Sequence, residues 1–163
     1  MNRFVNATLI SVVVSACLPS AVAQAQKSQQ PPAASSPRIR ACSLLPKEEV
    51  KKYLPWIPVL DRMAIEEEPI GTFGSSCTYP SVTIQVLSFS QTTIDMARKR
   101  GGLETIRGVG DEAYFYNNAN EYAELYVKVG KHLLTLQANA DGKIESVKPG
   151  VLNLAKALVG KLR

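Results

Sequence analysis

The most constraining feature of this chain is a pair of alternating segments separated by Gly130-Lys131. From Tyr122 to Val129 apolar residues alternate with polar or tyrosine residues, which is the period of a half-buried strand. Gly130-Lys131 has the Gly-X form that closes a tight hairpin. This turn predicts four facing pairs, seven of whose eight residues are apolar: Val129 with His132, Val127 with Leu134, Leu125 with Leu136, and Ala123 with Ala138. The sequence therefore predicts an antiparallel hairpin with one buried face.

Helical patterns lie on both sides of this hairpin. Residues 146–162 carry apolar side chains at spacings of three and four, which predicts a helix capped by Ser146 with Pro149 in its first turn. Residues 46–54 and 93–100 predict two shorter helices, the second capped by Thr93. The sequence therefore predicts an α+β domain in which an antiparallel β-sheet carries helices packed on one face.

The segment between the helices predicted at residues 46–54 and 93–100 has a further strand pattern. Residues 82–89 alternate as a strand, and residues 77–79 precede them across a turn at Pro80-Ser81. Pro55 and Pro58 stop any helix, so residues 55–69 are predicted to form an irregular connection.

Residues 1–25 have the organisation of an export signal. Arg3 gives a positive start, an apolar run follows, and Ala21-Val22-Ala23 supplies the small residues at which a signal peptidase cuts. The alternative is a lipoprotein signal that ends at Cys17, which would then carry the lipid. No later segment is long and apolar enough to span a membrane. The sequence predicts a periplasmic or secreted protein, with a lipoprotein anchored through Cys17 as the alternative.

A second segment, residues 26–37, separates the export signal from the rest of the chain. It is rich in Gln, Ser, Ala and Pro and has no apolar periodicity. Such a composition buries too little apolar surface to offset the entropy of ordering, so a disordered linker is predicted. Residues 38–163 then have the length of a single domain.

Two cysteines, Cys42 and Cys77, belong to the predicted domain. An even number of cysteines in an exported chain indicates a disulfide bond. A reactive thiol or a metal site would need a nearby histidine or a third cysteine. We therefore expect Cys42 and Cys77 to be bridged and to stabilise a small domain.

The chain is basic, with a formal net charge of +5, and part of that charge is clustered. Arg98, Lys99, Arg100 and Arg107 form a candidate anion-binding cluster. Basic residues in the last turn of a helix also complement its dipole without any ligand. Because nucleic acid is not a usual partner of an exported protein, we do not expect nucleic-acid binding.

Four of the six tyrosines fall on one side of the predicted sheet. Alternation places them opposite the aliphatic side chains of the hairpin: Tyr114, Tyr116, Tyr122 and Tyr126. If helices cover only the aliphatic face, these tyrosines line an open surface suited to stacking sugars or holding a peptide. A further helix over this face would instead bury them.

Signals for catalysis are weak. Asp111 and Glu112 are adjacent carboxylates, and neighbouring residues of a strand point to opposite faces, which suits paired acid–base chemistry poorly. Gly108-Val109-Gly110 lacks the third glycine and the strand-loop-helix context of a nucleotide-binding loop. The only histidine, His132, has no second histidine with which to bind a metal. We assign no catalytic residue, no metal site and no cofactor.

Several short motifs in order resemble an uncharacterised family of small exported bacterial proteins, many of them lipoproteins. The matching pieces are Cys42-Ser43-Leu44-Leu45-Pro46-Lys47-Glu48-Glu49-Val50, Cys77-Thr78-Tyr79, Gly108-Val109-Gly110-Asp111-Glu112-Ala113-Tyr114 and the Leu-x-Val-x-x-Gly segment from Leu125 to Gly130. Pro46 departs from the family pattern, in which a Ser or Thr caps the helix. The resemblance implies an α+β domain with bridged cysteines and carries no established activity.

These observations favour a non-enzymatic binding or accessory protein of the cell envelope. Its partner would be an envelope protein, a glycan or a lipid, bound through the tyrosine surface or the basic cluster. The alternative is a small secreted hydrolase that uses carboxylates such as Asp111 and Glu112.

Overall fold

The computed structural model describes residues 39–57, 65–118, 121–140 and 144–163. They lie within one compact unit, Ala34–Arg163. The predicted export signal at residues 1–25, with Cys17, and the predicted linker at residues 26–37 lie outside the described residues. So do residues 58–64 of the predicted irregular connection.

Among the described residues, seven strands form a single sheet in which every neighbouring pair is antiparallel. The strands are β1 (Glu66–Ile70), β2 (Gly74–Tyr79), β3 (Val82–Ser88), β4 (Leu103–Ile106), β5 (Glu112–Asn118), β6 (Tyr122–Val129) and β7 (His132–Asn139). Their order across the sheet is β1-β2-β3-β7-β6-β5-β4. The helices are α1 (Ala41–Leu44), α2 (Lys47–Tyr53), α3 (Gln91–Lys99) and α4 (Ile144–Leu162). The predicted α+β class with an antiparallel sheet is confirmed.

The hairpin formed by β6 and β7 has the predicted register. Val129 faces His132, and the three other predicted pairs are also register partners. Gly130 adopts a φ of +56° at the turn, a conformation that glycine adopts without steric cost. The apolar members of these pairs form the centre of the aliphatic face of the sheet, and Leu125, Leu134 and Leu136 are fully buried.

The aliphatic face packs against α1, α2 and α4 in one core. The apolar stripe of α4 is buried as the sequence predicts, at Val151, Leu154, Ala155 and Leu158. The helix begins at Ile144, two residues before the predicted cap, so Pro149 lies beyond its first turn. Gly150 allows α4 to approach α2 closely, because a Cβ there would lie 2.4 Å from the Tyr53 carbonyl oxygen. None of the helices among the described residues is long and apolar enough to cross a membrane.

The first described residues are fastened to β1 and β2. Cys42 and Cys77 form the predicted disulfide, with an S–S distance of 2.10 Å. The Ser75 hydroxyl donates a hydrogen bond to the Ile39 carbonyl and accepts one from the Ala41 amide, both of 2.7 Å. This segment therefore lies against the sheet through hydrogen bonds and a covalent bond, and short α1 forms beside it.

The irregular connection predicted for residues 55–69 is wrong at its end, because Glu66–Ile70 form strand β1. Its sequence contains three glutamates and Pro69, which are unfavourable in a central strand. The strand lies at the edge of the sheet and pairs only with β2. At an edge, charged side chains reach water and a proline costs no ladder hydrogen bond on the open side.

Helix α3 lies on the face opposite to the other helices. It connects β3 with β4, which lies at the far edge of the sheet, and the connection crosses β7, β6 and β5 on the way. Ile94 and Ala97 pack against Leu133, which points away from the aliphatic face. The helix starts at Gln91 with Ser90 at the cap position, and not with Thr93 as predicted.

Candidate functional site

All four candidate tyrosines lie on the face opposite the aliphatic core, here called the tyrosine face. Tyr114 on β5 is the register partner of Tyr126 on β6. Tyr116 is the partner of Glu124, and Tyr122 is the partner of Asn118. The alternation of β5 and β6 thus places the hydroxyl-bearing rings on one side, over neighbouring strands.

Helix α3 covers two of these four tyrosines. Tyr114 and Tyr126 are 9% and 5% exposed beneath Ile94 and Ala97. Tyr116 and Tyr122 are half-buried and lie outside that apolar cluster. Leu133 indicates that α3 covers this face. It is a fully buried leucine on the polar side of an alternating strand, and such a residue requires an apolar partner above it. Because α3 covers Tyr114 and Tyr126, the exposed part of the tyrosine face is smaller than it would be on a sheet without this helix.

A chain of polar contacts runs along the covered part of this face. Arg98 donates a hydrogen bond of 2.6 Å to the Tyr114 hydroxyl, which donates one of 3.0 Å to Glu112. The Lys128 ammonium lies 2.9 Å from the other oxygen of Glu112 and 4.6 Å from the centre of the Phe89 ring. The hydrogen bonds from Lys128 and then Tyr114 lower the pKa of Glu112, and the contact with Glu112 raises the pKa of Lys128.

The uncovered part of the tyrosine face is a row of polar side chains across five strands. Register partners link Thr78 to Thr83, Thr83 to Gln137, Gln137 to Glu124, and Glu124 to Tyr116. A second, shorter row two residues along the strands contains Asn139, Tyr122 and Asn118. We call the following seven residues the polar strip: Thr78, Thr83, Gln137, Tyr116, Asn139, Tyr122 and Asn118. None of these seven side chains is fully buried.

The one carboxylate within the longer row, Glu124, is partly neutralised. Its side chain is 13% exposed and lies 3.9 Å from the Arg100 guanidinium. Tyr126 also donates a hydrogen bond to Glu124. Burial is the larger cause that raises the pKa of Tyr126, and this hydrogen bond is the second. The centre of the polar strip therefore carries little net charge.

The basic residues selected from the sequence are not equivalent in the structure. Arg98 contacts Tyr114 and lies 3.5 Å from Asp95, and Arg100 lies near Glu124. Lys99 is exposed at the end of α3, and Arg107 is exposed in the loop between β4 and β5. Two of the four cations thus have carboxylate neighbours, and the anion-binding cluster stays a prediction.

Asp111 and Glu112 are held apart by different structural contacts. One oxygen of Asp111 accepts a hydrogen bond of 2.6 Å from the Gly130 amide, and the other lies 3.3 Å from Arg163. Glu112 accepts hydrogen bonds from Tyr114 and Lys128. Asp111 therefore fixes the β6–β7 turn, and the lowered pKa of Glu112 makes it a poor proton donor.

His132 lies at the first position of β7, half-buried, opposite Val129. Burial is the larger cause that lowers the pKa of His132, and the neighbouring Lys131 is the second; both favour the neutral imidazole. Within the described part of the chain, no group of three His, Cys, Asp or Glu residues is arranged to hold a metal ion.

Comparison with known proteins adds no functional assignment. No family model matches the chain, and neither the curated proteins nor the solved structures show a significant match. The resemblance to an uncharacterised exported family therefore stays a prediction.

Proposed function

We propose that this protein is an exported, non-enzymatic binding module of the cell envelope that binds a neutral glycan on the polar strip. The observation that carries the proposal is the row of hydroxyl and amide side chains, with Glu124 as its one carboxylate, that ends at the half-buried ring of Tyr116. The side chains of the strip are half-buried, and that of Asn139 is exposed.

The chemistry of the strip suits a sugar. Thr, Gln and Asn side chains supply both donors and acceptors, which sugar hydroxyls need as partners. Tyrosine rings offer apolar faces for the C–H side of a sugar, with a hydroxyl that reaches water. Five neighbouring strands span about 19 Å, so several sugar units fit along the row.

The charge of the strip favours a neutral ligand. Its seven residues carry no formal charge, and Glu124 between them is partly neutralised by Arg100. Glu66 lies beyond Thr78 at the outer end of the row, so an acidic polymer would meet a like charge there. A neutral polysaccharide meets no such repulsion.

Two observations support the envelope as the place of action. Residues 1–25 have the sequence pattern of an export signal, and the Cys42–Cys77 disulfide suits an oxidising compartment. The proposal is a periplasmic or secreted location, with membrane anchoring through Cys17 as the alternative. We do not extend it to hydrolysis, because Asp111 and Glu112 are both engaged in structural contacts.

Intact mass of the protein purified from its native envelope tests the location. A chain that starts after Ala23 or Ala25 and gains two hydrogens on reduction supports a soluble exported protein. A chain that starts at Cys17 with acyl groups supports the lipoprotein alternative. A chain that still carries residues 1–25 contradicts export with cleavage.

Screening against immobilised glycans tests the ligand class. We expect binding to neutral oligosaccharides that changes little between low and high salt, because the contacts are hydrogen bonds and ring stacking. Binding only to acidic glycans, with a strong loss at high salt, would contradict the proposal.

A further inference from the structure

A single carboxylate interrupts the longer row of the polar strip. Glu124 on β6 is the register partner of Gln137 on β7 and of Tyr116 on β5. Its side chain is 13% exposed, so water screens the carboxylate less than it would on an open surface. An acceptor that carries a full negative charge therefore lies between two neutral side chains of the proposed glycan site.

The described contacts of Glu124 leave part of its acceptor capacity unused. Tyr126 donates one hydrogen bond to the carboxylate. The Nη1 atom of Arg100 lies 3.9 Å from Oε2 of Glu124, which is longer than a hydrogen bond, so the two charges attract each other without being joined. Because a carboxylate has about four lone-pair sites, Glu124 can still accept hydrogen bonds, and the 57% exposed Arg100 can still donate them.

Helix α3 brings Arg100 to the edge of the row. Arg100 directly follows the last residue of α3 and keeps helical backbone angles, with φ −68° and ψ −19°. Met96 is four residues earlier, so it lies on the same side of the helix as Arg100, and its side chain is 54% exposed. The side of α3 that faces Glu124 thus offers a ligand one cation and one apolar side chain.

Glu124 and Arg100 together match the chemistry of two adjacent sugar hydroxyls. Each hydroxyl donates one hydrogen bond and also accepts. The two carboxylate oxygens accept from two neighbouring donors, as they do from the fork of an arginine, and the guanidinium donates to the hydroxyl oxygens. Hydrogen bonds to charged groups contribute more free energy than those between neutral groups. This pair should therefore discriminate between sugars more strongly than the Thr, Gln and Asn side chains of the polar strip.

We propose that Glu124 and Arg100 determine the specificity of the glycan site by binding two adjacent hydroxyls of a sugar ring that stacks on Tyr116. The inference rests on the proposed function, and it narrows the ligand to neutral glycans whose rings keep two neighbouring hydroxyls free. Register partners on adjacent strands have Cβ atoms about 5 Å apart, so a ring stacked on Tyr116 presents the hydroxyls at its edge to Glu124.

Calorimetry of the exported protein with two hexasaccharides of glucose tests the pair. Cellohexaose keeps two adjacent hydroxyls on every ring. In laminarihexaose the glycosidic bond occupies one of these positions, so the internal rings have no adjacent free hydroxyls. We expect the parent to bind cellohexaose more tightly than laminarihexaose by about tenfold or more. Glu124→Gln and Arg100→Gln should each weaken cellohexaose binding by about tenfold or more and change laminarihexaose binding by less than about threefold.

Two controls accompany these variants. Lys99→Gln removes an exposed cation from the last turn of α3 and is the matched control for Arg100→Gln. Because the ligand is neutral, binding of both sugars should stay within about twofold of the parent. Glu124→Gln keeps an oxygen that accepts from Tyr126, so the fold should be retained, and urea unfolding of each variant checks this.

The results separate this inference from the proposed function. Equal affinity of the parent for the two sugars, or effects of Glu124→Gln and Arg100→Gln no larger than that of Lys99→Gln, would overturn the specificity role. If Tyr116→Ala/Tyr122→Ala still weakens binding in that case, the polar strip remains the glycan site and only the role of the pair is wrong. Absence of binding of the parent to every neutral hexasaccharide would overturn both.

Discussion

The Arg98 guanidinium donates a hydrogen bond of 2.6 Å to the hydroxyl of Tyr114, and this bond fastens α3 to the sheet. The apolar part of the attachment is small, because only Ile94 and Ala97 of α3 are buried. The polar contact therefore has a large share in deciding how much of the tyrosine face stays covered.

Replacing Tyr114 with Phe keeps the ring and removes the hydroxyl that links Arg98 to Glu112. We expect α3 to loosen and the free energy of unfolding to fall by about 1 kcal/mol. Hydrogen exchange should accelerate at the α3 amides. Tyr116→Phe is the matched control on the same strand and face, and it should leave α3 unchanged. Equal exchange rates in the two variants would contradict this role of Tyr114.

Gly110 provides a second test, since it lies against the hairpin. A Cβ at this position would lie 2.4 Å from Val127 Cγ1 and 2.6 Å from the Lys128 carbonyl oxygen. Gly110→Ala adds this overlap to the cost of a φ of +62°, so we expect a loss of about 3 kcal/mol or more in urea unfolding.

Gly108→Ala is the control for this substitution. It imposes a similar positive φ, but a Cβ there has open space. Its cost should be limited to about 1–2 kcal/mol from backbone strain. If both alanine variants were destabilised equally, close packing of Gly110 against Val127 would not be the cause.

The disulfide should supply a large part of the stability of the domain. Its cysteines are 35 residues apart in sequence, and closing a loop of that length is worth about 4 kcal/mol on a chain-entropy estimate. Reduction, or the double variant Cys42→Ala/Cys77→Ala, should lower the urea midpoint accordingly. Unfolding curves that coincide with and without reductant would show that the bridge contributes nothing.

Glu112 should make stability depend on pH in the acid range. Its folded-state pKa is lowered from the ordinary value of 4.5, first by Lys128 and then by Tyr114. The unfolded chain therefore binds more protons, and this contribution to stability is lost as pH falls from 4.5 through the lower folded value. Glu112→Gln should give a shallower fall in stability, measured by urea unfolding at a series of pH values. An unchanged slope would contradict the assignment.

The hairpin and the final helix could be predicted from sequence because their signals are local. Alternation and a two-residue turn determine the register of β6 and β7, and a stripe at helical spacing determines α4. Strand β1 could not be predicted in this way, because Pro69 and three glutamates are tolerated only at a sheet edge. Whether a strand lies at an edge depends on the whole topology.

The candidate site, too, could be predicted from sequence only where its features depend on neighbouring residues of the chain. Alternation was sufficient to place four tyrosines on one face, but the cover over Tyr114 and Tyr126 depends on where α3 crosses the sheet. Leu133 was the available local sign of that cover. The clefts at the C-terminal end of α4 had no local sign, because the loop Gly108-Val109-Gly110 and the turn Gly130-Lys131 that line them are far in sequence from Arg163.

The most direct test of the central claim measures, by calorimetry, how neutral hexasaccharides such as chitohexaose and cellohexaose bind to variants of the polar strip. If the polar strip is the glycan site, Tyr116→Ala/Tyr122→Ala should weaken binding by about tenfold or more. Phe73→Ala, which truncates a 56% exposed aromatic ring outside the strip, should change it by less than about twofold. Absence of binding to every neutral hexasaccharide, or an equal loss with Phe73→Ala, would contradict the account.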